Sequence, residues 1–131
     1  MVELGLLVAG STWTYRHVPG FEDSRLVIGA LVRFEAGRDI ACVSITGAPQ
    51  RDHDGALVAR DIPLLPMTVE ALRATVVAQA SPVAVPAGFA DAFEAWQDDA
   101  RGSTFFTVPF EGHLDRMIAR QMADLALARP A

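Results

Sequence analysis

The first half of the chain carries short apolar runs of strand length, whereas the second half repeats its apolar residues every three or four positions. The clearest stretch runs from Ser24 to Gly47. Two runs rich in Val, Ile and Leu are joined there by Glu35-Ala36-Gly37-Arg38-Asp39, where Gly37 can take the positive φ of a tight reversal. This predicts a long β-hairpin. Its first arm sets Leu26, Ile28, Ala30, Val32 and Phe34 on one face and Val27, Gly29, Leu31 and Arg33 on the other. Its second arm divides Ala41, Val43 and Ile45 from Ile40, Cys42 and Ser44. The middle of the hairpin is apolar on both sides, so both sides need a cover, from helices or from a second subunit. That pattern points to a homodimer.

Around the hairpin the same signals place the remaining elements. Ser11 to Val18 alternates Trp13, Tyr15 and His17 with Thr12, Thr14, Arg16 and Val18, as a half-buried strand does, and Pro19-Gly20 turns the chain. Gly47 to Gly55 reads as a loop, and Ala56 to Ile62 as a fourth strand closed by Pro63 and Pro66. Thr68 is a suitable N-cap for a helix from Val69 to Gln79 with the stripe Val69, Leu72 and Val76. The Pro- and Val-rich segment from Ser81 to Gly88 can be at most a short edge strand. A second helix from Phe89 to Asp99, ended by Gly102, gathers Phe89, Ala92, Phe93 and Trp96 on one side. Phe106, Val108 and Phe110 alternate in the next segment. A last helix from His113 to Ala128 then carries a stripe of Leu114, Met117, Ile118, Gln121, Met122 and Leu125, expected to be buried. Strands first and helices afterwards predict an α+β domain spanning residues 1–131. Its antiparallel β-meander, of about four to six strands, should pack one face against two or three helices of the C-terminal half.

Composition narrows the functional classes. The net charge is −5 and the eleven basic residues are all arginines that form no stripe, so nucleic acid is not an expected partner. The N-terminal run MVELGLLVAGS has an acid at Glu3, no basic residue before its apolar core and too few apolar residues to span a bilayer. Ser11 stands where a lipid-bearing cysteine would be needed. The run therefore reads as a strand or an ordered arm, and no membrane association is expected. A single cysteine, Cys42, allows no internal disulfide and suits a reducing, cytoplasmic setting. Its apolar neighbours make it a small buried hydrophobe and a poor nucleophile.

Candidate chemistry is sparse. The segment Gln50 to Asp61 places Asp52, Asp54 and Asp61 at ligand positions of a calcium loop and Gly55 at its sharp turn. The first ligand would be Gln50 and the last a short Asp, while Arg51 and Arg60 oppose a cation, so no metal is expected. His17, His53 and His113 show no metal-binding spacing, but two of them meeting an acid such as Asp52, Asp54, Glu111 or Asp115 would make a general acid/base pair or a metal site, and the three histidines with Asp52 and Asp54 are the catalytic candidates. No phosphate-loop, dinucleotide or thiol-redox motif is present and no cofactor is expected. The aromatic residues mostly belong to a core. Trp13 and Tyr15 with Arg16 or Arg33 are the candidates for a pocket that holds a small apolar or anionic ligand.

These readings converge on a small binding or regulatory protein acting as a homodimer, whose contact with a protein or small ligand uses the sheet face bearing Val27, Leu31 and Cys42. Two alternatives stand beside it. One is a hydrolase or isomerase using His17 or His53 with a carboxylate. The other is an acidic, immunity- or antitoxin-like protein that masks a basic partner with Asp91, Glu94, Asp98 and Asp99.

Overall fold

Among the described residues, five antiparallel strands form one sheet in the order β4-β3-β2-β1-β5, with β1 at Thr12–Tyr15, β2 at Arg25–Arg33, β3 at Asp39–Arg51, β4 at Leu57–Thr68 and β5 at Val76–Ala80. The helices described beside it are α1 at Val69–Thr75, α2 at Phe89–Gln97 and α3 at Leu114–Ala128. The structure is a computed structural model that describes residues 7–33, 39–98 and 105–128. The α+β class and the meander follow the sequence pattern. The predicted reversal at Glu35 to Gly37, and the positions of Phe34, Asp99 and Gly102, lie outside the described residues.

The hairpin arms pair as expected, from Arg25 opposite Thr46 to Arg33 opposite Asp39, with one interruption between Ile28 and Ala30. The extra residue is Gly29, and this bulge changes which side chains share a face. Leu26 and Ile28 belong to the core formed with Ala41, Val43 and Ile45, whereas Ala30 and Val32 join Ile40 and Cys42 on the opposite side. Leu31 is thereby turned towards the face of Leu26 and Ile28, against the simple alternation read from the sequence. Gly29 has a second role. A Cβ placed on it would run into the tip of the Phe89 ring, which reaches the glycine from α2.

Both faces of the sheet are covered within the chain. Leu26, Ile28, Val43, Ile45, Met67 and Trp13 pack beneath α1, the Val108 to Phe110 segment and Met117 of α3. On the other face Ile40 and Cys42 lie under Phe89 and Trp96 of α2, with Phe93 stacked between them at centroid distances of 5.7 and 6.1 Å. Helices therefore occupy both faces and not the single one expected. The two-sided apolar hairpin is accounted for without a second subunit.

Three boundaries differ from the sequence reading. The expected loop at Gly47 to Gly55 is instead the far end of a long hairpin, in which β3 continues to Arg51 and only Asp52 to Ala56 turns. Gly47, at φ +57°, makes a local irregularity whose N–H donates to the Asp61 carboxylate at 2.9 Å. Strand β4 then passes through both prolines. The carbonyl of Pro66 accepts from the N–H of Phe106 on the outer side of the strand, so its missing donor also falls on that side and spares the ladder to β3. Pro63 sits in the irregularity between the Val43 and Ile45 pairs, where its carbonyl accepts from Ser44 Oγ at 2.7 Å. Finally, the helix after Thr68 stops at Thr75, and Val76 to Gln79, expected to be helical, belong instead to the strand Val76–Ala80 that pairs with β1. Thr75, Val76 and Val77 are β-branched, which favours the change to strand, and β1 offers an open edge. Thr68 caps the helix as predicted, its Oγ1 accepting from Ala71 N at 3.1 Å.

The short α1 also constrains the shape of the sheet. It links β4 to β5 at opposite edges, a flat-sheet separation of four strand spacings, or about 19 Å. Seven helical residues reach only about 10 Å. The sheet must therefore coil so that its edges approach, and the space enclosed by the coil is the main core. The segment after residue 105 closes this space: Phe106 bridges Met67 in parallel, the Phe110 ring meets Tyr15 at 5.2 Å, and Phe110 N donates to Thr75 Oγ1 at 3.0 Å.

Candidate functional site

Helix α3 has a stripe that only its first turns bury. Leu114 is half-buried and Met117 buried against the core, but Ile118 is 44 % exposed, Leu125 49 % and Met122 63 %. The spacing predicted this stripe and predicted it buried, so its exposure corrects the expectation. The physical reason is length. A helix of 15 residues extends about 22 Å, and its C-terminal turns present their apolar side to solvent.

A groove of about 580 Å³ runs alongside, between Leu125 and the wall made by Pro66, Trp96, Phe105 and Phe106. Gln121 lines it too, its Oε1 accepting from Thr107 N at 2.8 Å and from Thr107 Oγ1 at 3.1 Å. This bond fixes the Phe105 to Thr107 segment against the helix. Stripe and groove share Leu125 and form one apolar surface, suited to burial against another apolar face and not to chemistry on a polar substrate.

The residues singled out from sequence are dispersed. Trp13 and Tyr15 are core residues, each 2 % exposed. The Ser24 hydroxyl donates its one proton to Thr46 O, so Tyr15 Oη must donate to Ser24 Oγ, at 2.5 Å. Arg16 is exposed on the surface, and the Arg33 guanidinium is held by Asp39 at 3.0 Å. His17 lies against the Tyr15 ring at 4.9 Å with Nε2 at 3.0 Å from Ser24 O. His53 stands at the tip of the β3–β4 turn with Asp54 at 3.5 Å, both exposed. Asp52 is engaged in shaping that turn, its Oδ1 accepting from Asp54 N and Ala56 N. His113 lines a small concavity of about 110 Å³ with Gln50, Arg51 and Asp115. Among the described residues no group of three or more His, Cys, Asp or Glu could hold a metal ion. The acids Asp91, Glu94 and Asp98 form the exposed side of α2, opposite its aromatic side. Val27 and Cys42 are buried within the chain, so the sheet face expected to meet a partner is not accessible at those residues.

Two core groups carry a pH signature. Burial pushes the Cys42 thiol from 9.0 up to about 12. Burial also raises the Tyr15 phenol above 10.0, outweighing the Ser24 hydrogen bond and the Arg25 charge. In both cases the folded chain keeps a proton that the unfolded chain releases. The contribution is complete below the unfolded thiol's pKa and is lost as the pH rises towards about 12. Urea unfolding should show stability falling above the unfolded thiol's pKa by up to about 1.4 kcal/mol per pH unit for the thiol. Cys42→Ala should reduce that slope. Equal slopes in the two proteins would disprove the assignment.

Comparison with known proteins finds no similarity: no family model, no curated protein and no solved structure matches the chain. No helix among the described residues is long and apolar enough to cross a membrane.

Proposed function

We propose that the chain is a binding module without catalytic activity of its own, and that it acts as a homodimer whose two copies meet through α3. The carrying observation is the exposed row of Ile118, Met122 and Leu125 on a helix that is anchored in the core at its N-terminal end by Leu114 and Met117. The row is suited to its own copy. Ile118 and Leu125 lie equally far from the point between Gln121 and Met122. In an antiparallel helix pair about a two-fold axis, Ile118 therefore meets Leu125 of the second copy while the two Met122 side chains meet at the centre. The adjacent groove at Trp96 and Phe106 extends the surface that such a contact covers.

Light scattering tests this directly. The wild-type chain is expected to be dimeric at micromolar concentration, and Met122→Glu, which places a charge at the centre of the contact, is expected to be a folded monomer. A monomeric wild-type protein, or a Met122→Glu protein that remains dimeric, would refute α3 as the interface.

A further inference from the structure

A second concavity lies at the other end of the hairpin and differs in chemistry from the α3 surface. Its volume is about 350 Å³, within the size range of small-molecule sites, which run from about 300 to 1,000 Å³. Leu72, fully buried, and Leu7, nearly so, form the floor, and the half-exposed Leu31 forms a wall. Leu31 faces this space because the Gly29 bulge has shifted the alternation of β2. The rim carries two guanidiniums, Arg33 from β2 and Arg73 from the last turn of α1, and one acid, Asp39.

The arrangement of charge at that rim is specific. Asp39 accepts from Arg33 Nε at 3.0 Å, which orients the guanidinium and leaves both of its terminal nitrogens without a protein acceptor among the described residues. Arg73 has no acidic partner among the described residues. Among the described residues the rim thus carries two cations against one acid, on a chain of net charge −5. Guanidinium forks above an apolar floor match an anion that is planar, bidentate and attached to something greasy.

We propose that this pocket binds a carboxylate bearing an apolar tail, with the tail on Leu7, Leu31 and Leu72 and the head group between Arg33 and Arg73. The inference deepens the binding reading above by naming a ligand class, but it does not use the α3 contact, so the two can fail separately. Calorimetric titration with octanoate, octan-1-ol and acetate tests it. Octanoate is expected to bind at least about tenfold more tightly than either of the others, because the alcohol lacks the charge and acetate lacks the tail. Arg73→Gln and Arg33→Gln, both at exposed positions, should each weaken octanoate by about tenfold, and Leu31→Asp should abolish binding. Met122→Glu should bind octanoate as the wild type does. Failure of octanoate to bind, equal binding of octanol or acetate, or indifference to both arginine variants would overturn the assignment. Loss of octanoate binding in Met122→Glu would move the ligand to the helix surface and overturn it equally.

Discussion

Gly29→Val is expected to destabilise the fold by about 3 kcal/mol, the upper part of the range for forcing extra carbon into a packed site. The cause is steric and local. The Phe89 ring lies against the α-carbon of Gly29, and a Cβ there would fall about 2.6 Å from Cε1 and 2.7 Å from Cε2 of that ring. The glycine has no positive φ, so the backbone itself would accept a side chain and the penalty measures the ring contact. A double-mutant cycle isolates it. In a Phe89→Ala background the same Gly29→Val change should cost much less, because the removed ring vacates the volume the valine needs. A penalty in urea unfolding that is identical in both backgrounds would show that the contact with α2 is not what selects glycine.

Phe110→Ala should be at least as damaging, at about 3–5 kcal/mol, a large fraction of the roughly 5–15 kcal/mol that holds a domain together. Phe110 is 1 % exposed and closes the core enclosed by the coiled sheet, touching Tyr15 while its own N–H is bound by Thr75. Truncation leaves a cavity between the sheet and the segment that crosses it, and that segment is attached to the sheet mainly around Phe106. Phe110→Leu, which keeps most of the volume, should cost less than half as much. If Phe110→Ala lowered the urea midpoint no more than a surface substitution does, the 105–110 segment could not be the closure of the core.

The pair of apolar runs between Leu26 and Ile45 was enough to identify the central hairpin, because strands covered on both faces read as short, nearly continuous runs of Val, Ile and Leu. It was not enough to assign faces beyond Gly29. An isolated glycine in a strand pattern is itself a bulge signal, and recognising it would have placed Leu31 correctly. The end of α1 was also legible in principle. Thr75-Val76-Val77 favours strand, but the helical stripe through Val76 competes with it, and only the open edge of β1, more than sixty residues away, decides between them. The prolines at 63 and 66 were read as terminators because sequence alone does not say that β4 lies near the edge of the sheet, where a missing donor is tolerated.

The candidate sites were less legible, for a different reason. The spacing of Ile118, Met122 and Leu125 shows that a helix has an apolar side, but burial depends on what lies opposite, and among the described residues nothing covers these three, Leu125 only bordering a groove. Arg33 was legible as a cation near apolar residues. Arg73 was not, since it stands forty residues away on an unremarkable helix turn and is brought to the same rim only by the crossing of α1 over the coiled sheet. The aromatic residues divided as tertiary context required, Trp13 and Tyr15 into the core and Trp96, Phe105 and Phe106 to the wall of the groove.

Strand β1 lies between β2 and β5, its Thr12 opposite Ala80. As the polypeptide emerges from a ribosome, the first four strands can assemble on their own, but β1 must wait with one side unsatisfied until Ala80 has left the exit tunnel. Over that interval the nascent chain carries an unpaired row of amides next to Trp13 and Tyr15, which makes the period before β5 docks the one in which a chaperone would have most to protect.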